Sequence, residues 1–181
     1  MFKTEFRQGC MLVLGGARSG KSSFALETCD HMEGRHIFVA TAQALDSEME
    51  YRIKRHKAER HGKWKTIEEP VEITARIREL NKEDTIILLD CLTLWLNNIF
   101  MENETNPDAV YEKIDELIEV LKDVRGKIVI VSNEVGMGIV PENKLAREYR
   151  DAAGYMNRKI GSVACKVVIH FAGIAMILKD E

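Results

Sequence analysis

The segment from residue 11 to residue 22 constrains the fold of this chain more than any other. Four apolar residues, Met11–Leu14, precede Gly15-Gly16-Ala17-Arg18-Ser19-Gly20-Lys21-Ser22, which fits the pattern G-x-x-x-x-G-K-[ST]. Glycines let a backbone wrap around an anion with its N–H groups pointing inward, and a following helix adds partial positive charge. We therefore expect a strand, a loop that holds a purine triphosphate, and a helix, with Lys21 at the outer phosphates and Ser22 on magnesium. The alternative is a glycine-rich turn with an accidental lysine.

The rest of the chain alternates short apolar runs with longer amphipathic stretches. The runs predict strands at Met11–Leu14, His36–Ala40, Thr85–Leu89, Lys127–Val131, Val167–Phe171 and Ile174–Leu178. The amphipathic stretches predict helices at Lys21–Met32, Glu48–His61, Val71–Leu80, Asp108–Val124 and Asn143–Ala164. Such alternation is typical of a mostly parallel sheet covered by helices on both faces. We predict one α/β domain over residues 1–181.

Composition gives no sign of several classes of partner and site. The net charge is −3, with acids and bases interleaved, so neither a nucleic-acid footprint nor a polybasic membrane-binding tail is expected, although a balanced total is compatible with a local basic patch. The four cysteines are far apart and form no CxxC pair, which predicts buried, reduced thiols rather than a zinc site or disulfides. Since Met11–Leu14 is too short for a signal-peptide core or a membrane span, we expect a cytoplasmic protein.

An acidic residue follows one of the predicted strands. Ile86-Ile87-Leu88-Leu89-Asp90 is an apolar run that ends in a carboxylate. A P-loop enzyme needs such an acid at the end of another parallel strand beside the loop, where it holds magnesium. Asp90 is our candidate for this role, and the alternative is that it caps the segment that begins at Cys91-Leu92.

A basic helix is predicted in the segment after the second strand. Ser47 and Glu50 have the spacing of a capping box, and His56 and Arg60 share one stripe of the helix that follows. A neutral imidazole is able to attack phosphorus, and neighbouring cations would stabilise departing pyrophosphate. The alternative is a histidine that packs at the boundary of the protein body, and the residue pattern alone favours it. His61 is a weaker candidate that resembles a C-terminal cap.

The polar residues after the fourth predicted strand form a shaped loop. Ser132–Pro141 contains Asn133, Glu134, two glycines and a proline, at the edge where open α/β sheets bind ligands. Asn133 and Glu134 are candidates for contacts with magnesium, the nucleotide or an acceptor hydroxyl. A purely structural turn is the alternative.

Taken together, these stretches resemble one family, the bifunctional adenosylcobinamide kinase / adenosylcobinamide-phosphate guanylyltransferases of cobalamin biosynthesis. The resemblance spans nearly the whole chain in the same order. The matching segments are Gly15–Ser22, Ala40–Gln43, Asp46–Arg60, Leu89–Thr93 and Asn133–Asn143. Asn133–Asn143 is far more particular to this family than a phosphate-binding loop.

The resemblance implies a reaction and a RecA-like P-loop fold. Similar proteins phosphorylate the aminopropanol hydroxyl of adenosylcobinamide with ATP or GTP. They then transfer GMP from GTP to that phosphate through a guanylylated histidine, which falls on His56 here. The resemblance also implies a homotrimer in which a neighbouring subunit helps to form the corrinoid site. Because the two steps attack different phosphorus atoms, we expect the His56 helix to move or the nucleotide to slide.

The site residues follow from the motif and the resemblance together. The predicted catalytic residues are Lys21 and His56. The predicted nucleotide contacts are Gly15, Gly16, Ala17, Arg18, Ser19, Gly20, Lys21, Ser22, Ala40, Thr41, Ala42, Lys57, Ala58, Glu59, Arg60, Glu68 and Asp90. Glu68 is assigned to the ribose hydroxyls, and Ser22 and Asp90 to Mg²⁺. Two rival functions are a plain P-loop kinase for a small metabolite and a nucleotide-dependent switch or assembly ATPase.

Overall fold

A single seven-stranded sheet organises the part of the chain that the structure describes. The structure is a computed structural model and describes residue 6, residues 8–44, residue 51, residues 62–103 and residues 106–181. The strands are β1 (Gly9–Gly15), β2 (Arg35–Ala40), β3 (Lys65–Glu68), β4 (Thr85–Asp90), β5 (Lys127–Asn133), β6 (Lys166–Phe171) and β7 (Ile174–Asp180). The helices are α1 (Lys21–Asp30), α2 (Ile73–Leu80), α3 (Leu92–Glu102), α4 (Pro107–Lys122) and α5 (Lys144–Val163).

The strand order places the first strand inside the sheet. The order is β3-β2-β4-β5-β1-β6-β7. All pairs are parallel except β6 with β7, which form an antiparallel hairpin at one edge. The predicted mostly parallel sheet is therefore confirmed. The carboxyl ends of six strands meet at one edge, where open α/β sheets bind ligands.

The two faces of the sheet bury two separate apolar clusters. Alternate residues of β1 point to opposite faces, so Leu12 packs with helices α2 to α5 while Met11 packs with α1. The predicted covering of both faces is thus confirmed. The larger cluster contains Trp95, which is 1% exposed and donates its indole N–H to the carbonyl of Val71 over 2.7 Å.

Two elements differ from the sequence prediction. Strand β3 was not predicted because it is four residues long and mostly exposed, with a single apolar residue, Ile67. Helix α3 was not predicted because most of its residues are buried, so its sequence lacks the polar face that marks a surface helix. The predicted strands and the other predicted helices in the described ranges are present with ends shifted by a few residues. The predicted helix at 48–61 lies, apart from Tyr51, outside the described residues.

Candidate phosphate-binding site at the carboxyl edge of the sheet

The glycine-rich loop joins the end of β1 to the start of α1, as predicted. Gly20 is the N-cap residue of α1, with φ of 92° in the left-handed region that glycine tolerates. Because glycine has no side chain, it provides no side-chain cap for the first turn. The first N–H groups of a helix have no partner within the helix, so an uncapped N-terminus is suited to an anion.

Lys21 is folded back under the loop. Its side chain is buried, and its Nζ donates a hydrogen bond of 3.0 Å to the carbonyl of Gly16. Burial lowers the pKa of Lys21, while Cys91 and the Asp90 carboxylate raise that pKa and so oppose the effect. The lysine charge is therefore held at the base of the loop, within electrostatic reach of Asp90.

Asp90 ends β4 as predicted, but its strand is not the neighbour of the loop strand. The central strand β5 lies between β4 and β1, yet the Asp90 carboxylate acts on the pKa of Lys21 at the base of the loop. The acid therefore lies near the loop as predicted, although the two strands are not adjacent. Asp90 pairs with Val131 in register, two residues before the end of β5. The N-cap position of α3 belongs to Cys91, so the alternative role of Asp90 as a helix cap finds no support.

Asn133 ends the strand that lies between the loop strand and the acid strand. It is the last residue of β5 and lies opposite Gly15 in the parallel register. Its side-chain amide donates a hydrogen bond of 2.7 Å to the hydroxyl of Thr93, and the Thr93 carbonyl accepts a 2.8 Å bond from the hydroxyl of Tyr149. This chain of contacts fixes the end of β5 against α3 and α5.

Two of the predicted guanosine contacts, Ala40 and Glu68, lie at strand ends on the other side of Asp90. Ala40 ends β2 and is paired in register with Asp90 on one side and with Glu68 on the other. Thr41 is fully buried, and its hydroxyl donates to the carbonyl of Cys91 over 2.7 Å and accepts from the Cys91 N–H over 2.9 Å. The structure therefore brings Ala40, Glu68 and Asp90 to one edge, with the Thr41 side chain engaged in joining two strand ends.

An open cleft of about 340 Å³ lies beside the first half of the loop. Its wall includes Gly15–Ser19, Glu134, Met137 and the end of β6. The N–H of Glu134 donates 3.1 Å to the carbonyl of Gly15, and its carboxylate accepts 2.7 Å from the N–H of Gly136. The segment after β5 is thereby attached to the loop, with the Met137 side chain mostly exposed.

Several predicted residues cannot be placed. His56, Lys57, Ala58, Glu59 and Arg60 lie outside the described residues, as does His61.

Sequence reasoning overlooked two residues at this edge, Thr93 and His170. The sequence pattern gives no sign of the role of Thr93, which is clear only from its hydrogen bonds in the structure. His170 could have been noticed as the single imidazole of an apolar strand, one residue before the strand ends, with Gly15 opposite it in register.

The oxygen atoms at this edge fit a magnesium ion shared with a nucleotide. Mg²⁺ is bound by oxygen ligands and keeps several waters, with one or two carboxylates and substrate phosphates completing its shell. Ser22, in the first turn of α1, and Asp90, within reach of the Lys21 charge, provide such atoms. Within the described ranges, no group of three His, Cys, Asp or Glu could hold a metal on its own. This donor set suits a metal that arrives with phosphates.

Comparison with known proteins then decides the family. Residues 11–178 match the family described as cobinamide kinase / cobinamide phosphate guanyltransferase. The chain belongs to this family. The bifunctional adenosylcobalamin biosynthesis protein of Pseudomonas aeruginosa is 40% identical over 170 residues, covering 94% of this chain and 97% of the relative. The proteins of that name from Salmonella typhimurium and Escherichia coli are 38% and 36% identical over 180 residues, each covering 93% of this chain and 99% of the relative.

Solved structures support the fold of this cobinamide kinase / guanyltransferase family member. An ATPase of the type III secretion system has a TM-score of 0.58 at 12% identity, covering 89% of this chain and 50% of its own. A KaiC-like protein of Pyrococcus horikoshii has 0.52 at 13% identity, covering 96% and 79%. The predicted P-loop, RecA-like fold, family and enzyme class are confirmed. Fold and family together imply nucleotide binding. None of the described helices is long and apolar enough to cross a membrane.

Proposed function

We propose that this chain catalyses two successive reactions of cobalamin biosynthesis. It phosphorylates adenosylcobinamide with ATP or GTP, and it then transfers GMP from GTP to adenosylcobinamide phosphate. The products of the second reaction are adenosyl-GDP-cobinamide and pyrophosphate. The observation that carries this proposal is the family match over residues 11–178, which includes the phosphate loop, Asp90 and the segment after β5.

In the first reaction the loop and Lys21 act on the outer phosphates. The aminopropanol oxygen attacks the γ-phosphorus, the bond to the β–γ bridging oxygen breaks, and the hydroxyl proton leaves to a base or water. Lys21 would leave the Gly16 carbonyl to meet the charge that develops on the phosphates. Ser22 and Asp90 would hold Mg²⁺, which supplies charge neutralisation between the phosphates when bound.

In the second reaction His56 is the proposed nucleophile. Its imidazole nitrogen attacks the α-phosphorus of GTP and pyrophosphate leaves, which forms a guanylylated histidine. A phosphate oxygen of the cobinamide phosphate then attacks the same phosphorus and releases the imidazole. Ala40, Thr41, Ala42, Lys57, Ala58, Glu59, Arg60 and Glu68 are the proposed contacts of the guanosine. The positions of Ala40 and Glu68 on adjacent strand ends are consistent with one binding surface.

The two reactions attack different phosphorus atoms, so one rigid arrangement does not serve both. We propose that the segment carrying His56 moves between the steps, or that the nucleotide slides in the loop. Crystal structures of both steps with one fixed histidine and one fixed triphosphate would contradict this.

The decisive experiment is incubation of the protein with GTP labelled at the α-phosphorus. A guanylylated histidine retains label that is acid-labile and alkali-stable, whereas a plain metabolite kinase retains none. His56→Ala should abolish the label while ATP-dependent phosphorylation of adenosylcobinamide continues. His61→Ala is the matched control and should keep the label. Loss of both activities in His56→Ala would make that histidine architectural, and an unlabelled wild-type protein would favour the plain kinase.

The second rival, a nucleotide-dependent switch, predicts a protein partner instead of a small acceptor. Nucleotide turnover measured with and without added adenosylcobinamide distinguishes the enzyme from the switch. An enzyme of this family consumes nucleotide in proportion to acceptor, while a switch hydrolyses it without acceptor.

Three further assignments belong to this proposal. We propose that residues 1–181 form one domain, that the protein acts in the cytoplasm, and that it assembles as a homotrimer. Support for assembly comes from apolar side chains on the edge strand β7, where Ile174, Met176 and Leu178 are each at least half exposed. Light scattering at micromolar concentration should give three times the 20.6 kDa of the chain, and a monomer mass would refute the trimer.

A further inference from the structure

His170 is a buried imidazole whose hydrogen bonds are unmet. It is 3% exposed, and both ring nitrogens are inaccessible and have no hydrogen-bond partner among the described residues. The other buried histidine of the described ranges, His36, has each ring nitrogen 2.9 Å from a backbone carbonyl, of Gly34 and of Cys29. Buried polar groups are nearly always paired, so the isolation of His170 requires an explanation.

The phosphate loop contains a second buried polar group of this kind. The hydroxyl of Ser19 is also buried and has no hydrogen-bond partner among the described residues. A Cβ atom placed on Gly15 would lie 2.5 Å from the Ser19 Oγ and 3.1 Å from the Cβ of His170. Both side chains therefore lie close to the point that a Cβ atom of residue 15 would occupy. Because residue 15 is glycine, no side chain of its own fills that point.

The surroundings of His170 keep its ring neutral and hold it in place. Burial lowers the pKa of His170, and the Lys21 charge lowers it further. A neutral imidazole has one N–H donor and one acceptor nitrogen, so it is able to pair with a hydroxyl in either direction. The ring of Phe24, in the first turn of α1, packs on it with centroids 4.5 Å apart.

We propose that nucleotide binding brings the Ser19 hydroxyl and the His170 imidazole into a hydrogen bond, which makes His170 a positioning residue for the phosphate loop. The proposal rests on the nucleotide occupying the loop as proposed above. Ser19 immediately precedes Gly20 and Lys21, so a bond that fixes Ser19 also fixes the N–H groups at the start of α1. We expect the bond to form through a rotation of the Ser19 side chain between staggered positions and a shift of the loop when nucleotide binds.

A hydrogen bond between Ser19 and His170 would give a partner to two buried polar groups that have none among the described residues. A buried polar group without a partner destabilises the state that contains it. If both groups are paired once nucleotide is bound, the free energy of that hydrogen bond adds to the affinity for nucleotide. The pair then couples occupancy of the loop to the β6–β7 turn, where the N–H of Gly173 already donates 3.1 Å to the Ser19 carbonyl.

The test is a double-mutant cycle on the full chain with Ser19→Ala and His170→Leu. Affinity for a fluorescent GTP analogue with magnesium is measured at equilibrium for all four proteins. We expect each single variant to weaken binding by about tenfold, the equivalent of one hydrogen bond. We expect the double variant to weaken it by about the same factor, because the second change removes a bond that is already lost.

Thermal unfolding of the ligand-free proteins separates positioning from a structural role. His170→Leu should unfold at the wild-type temperature or above it, since it removes unmet polar atoms. One of His170→Asn and His170→Gln should restore affinity, because their amides match the positions of Nδ1 and Nε2, and these variants serve if His170→Leu does not fold. His36→Leu is the matched control, and it should lower thermal stability because its carbonyl contacts are lost.

Three outcomes would overturn the proposal. Additive losses in the cycle, about a hundredfold for the double variant, would show that the two side chains do not interact. A loss of affinity with His170→Leu but none with Ser19→Ala would mean that the imidazole acts without the serine. A wild-type chain that binds no nucleotide would overturn the proposed function and this pair together, whereas the first two outcomes overturn the pair alone.

Discussion

The side-chain amide of Asn133 donates a 2.7 Å hydrogen bond to the hydroxyl of Thr93, which joins the end of β5 to the first turn of α3. Asn133 stands opposite Gly15 in the register, at the start of the phosphate loop. The same hydroxyl lies 3.2 Å from the Sγ of Cys91, the residue after Asp90. Thr93 therefore links the loop side and the acid side of the site through one oxygen atom.

Replacing Thr93 by valine should disturb both sides of the site. The change keeps the side-chain shape but leaves the Asn133 amide without its acceptor, which costs about 1–3 kcal/mol of unfolding free energy. A misplaced Asn133 should also lower the rate of phosphoryl transfer by about ten- to a hundredfold. Urea unfolding and a coupled kinase assay measure the two effects. Thr93→Ser retains the hydroxyl and is the control, and equal behaviour of the valine and serine variants would contradict the argument.

Most of the sheet was predictable because its strands are continuous apolar runs between helices. Strands buried on both faces leave this signal, and β4 and β5 show it clearly. Strand β3 leaves little signal, since its pairing with β2 at the sheet edge requires only one half-buried residue. Helix α3 leaves a misleading signal, because burial of most of its residues weakens the helical periodicity of its apolar positions.

The candidate site was predictable where a motif fixes local geometry and unpredictable where packing does. The phosphate loop follows from its own glycines, so its position was foreseen. The insertion of β5 between the strand that carries Asp90 and the strand that leads into the loop depends on strand order, which no local pattern encodes. The placement of His170 and Ser19 near the same point at Gly15 depends on the register of β6 against β1, and residues 151 positions apart give no sequence signal for it.

Gly15→Ala should destabilise the ligand-free protein. The added Cβ would lie 2.5 Å from the Ser19 Oγ and 2.8 Å from the carbonyl oxygen of His170, so loop or strand must shift. Overpacking of this kind costs about 2 kcal/mol, which corresponds to a fall in Tm of about 4–8 °C for a chain of this size. Gly16→Ala is the matched control for stability, since nothing lies within 4 Å of its added Cβ. Equal Tm values for the two variants would show that the loop yields freely.

Lys21→Met should remove phosphoryl transfer while leaving the fold intact. The ammonium group is buried, so its removal takes away a desolvated charge, and the ligand-free Tm should stay level or rise. Loss of its contact with the phosphates should lower kcat/KM by about 10²–10³-fold. Lys166→Met is the control, because this buried lysine lies at the opposite end of the sheet and pairs with Asp180 over 3.1 Å. Lys166→Met should retain nucleotide turnover. A comparable loss of kcat/KM in this variant would show that the effect of Lys21→Met comes from general disruption of the fold.

The pH dependence of stability should carry the signature of the Cys91 thiol. Burial, with a further contribution from the Asp90 carboxylate, raises the pKa of Cys91 from 9.0 to about 11 in the folded protein. Between these values the unfolded chain loses the thiol proton and the folded chain keeps it, so the free energy of unfolding falls as pH rises. The slope from this group is about 1.4 kcal/mol per pH unit.

Cys91→Ala should lower that slope by the same amount between pH 9 and about pH 11, as measured by urea unfolding at half-unit intervals. Below pH 8 the thiol is protonated in both states, so the wild-type and Cys91→Ala profiles should run parallel there, offset only by the contacts that alanine lacks. Parallel profiles above pH 9 as well would mean that solvent reaches the thiol in the folded protein. In that case the side chain of Cys91 would not exclude water from the protein interior next to Asp90.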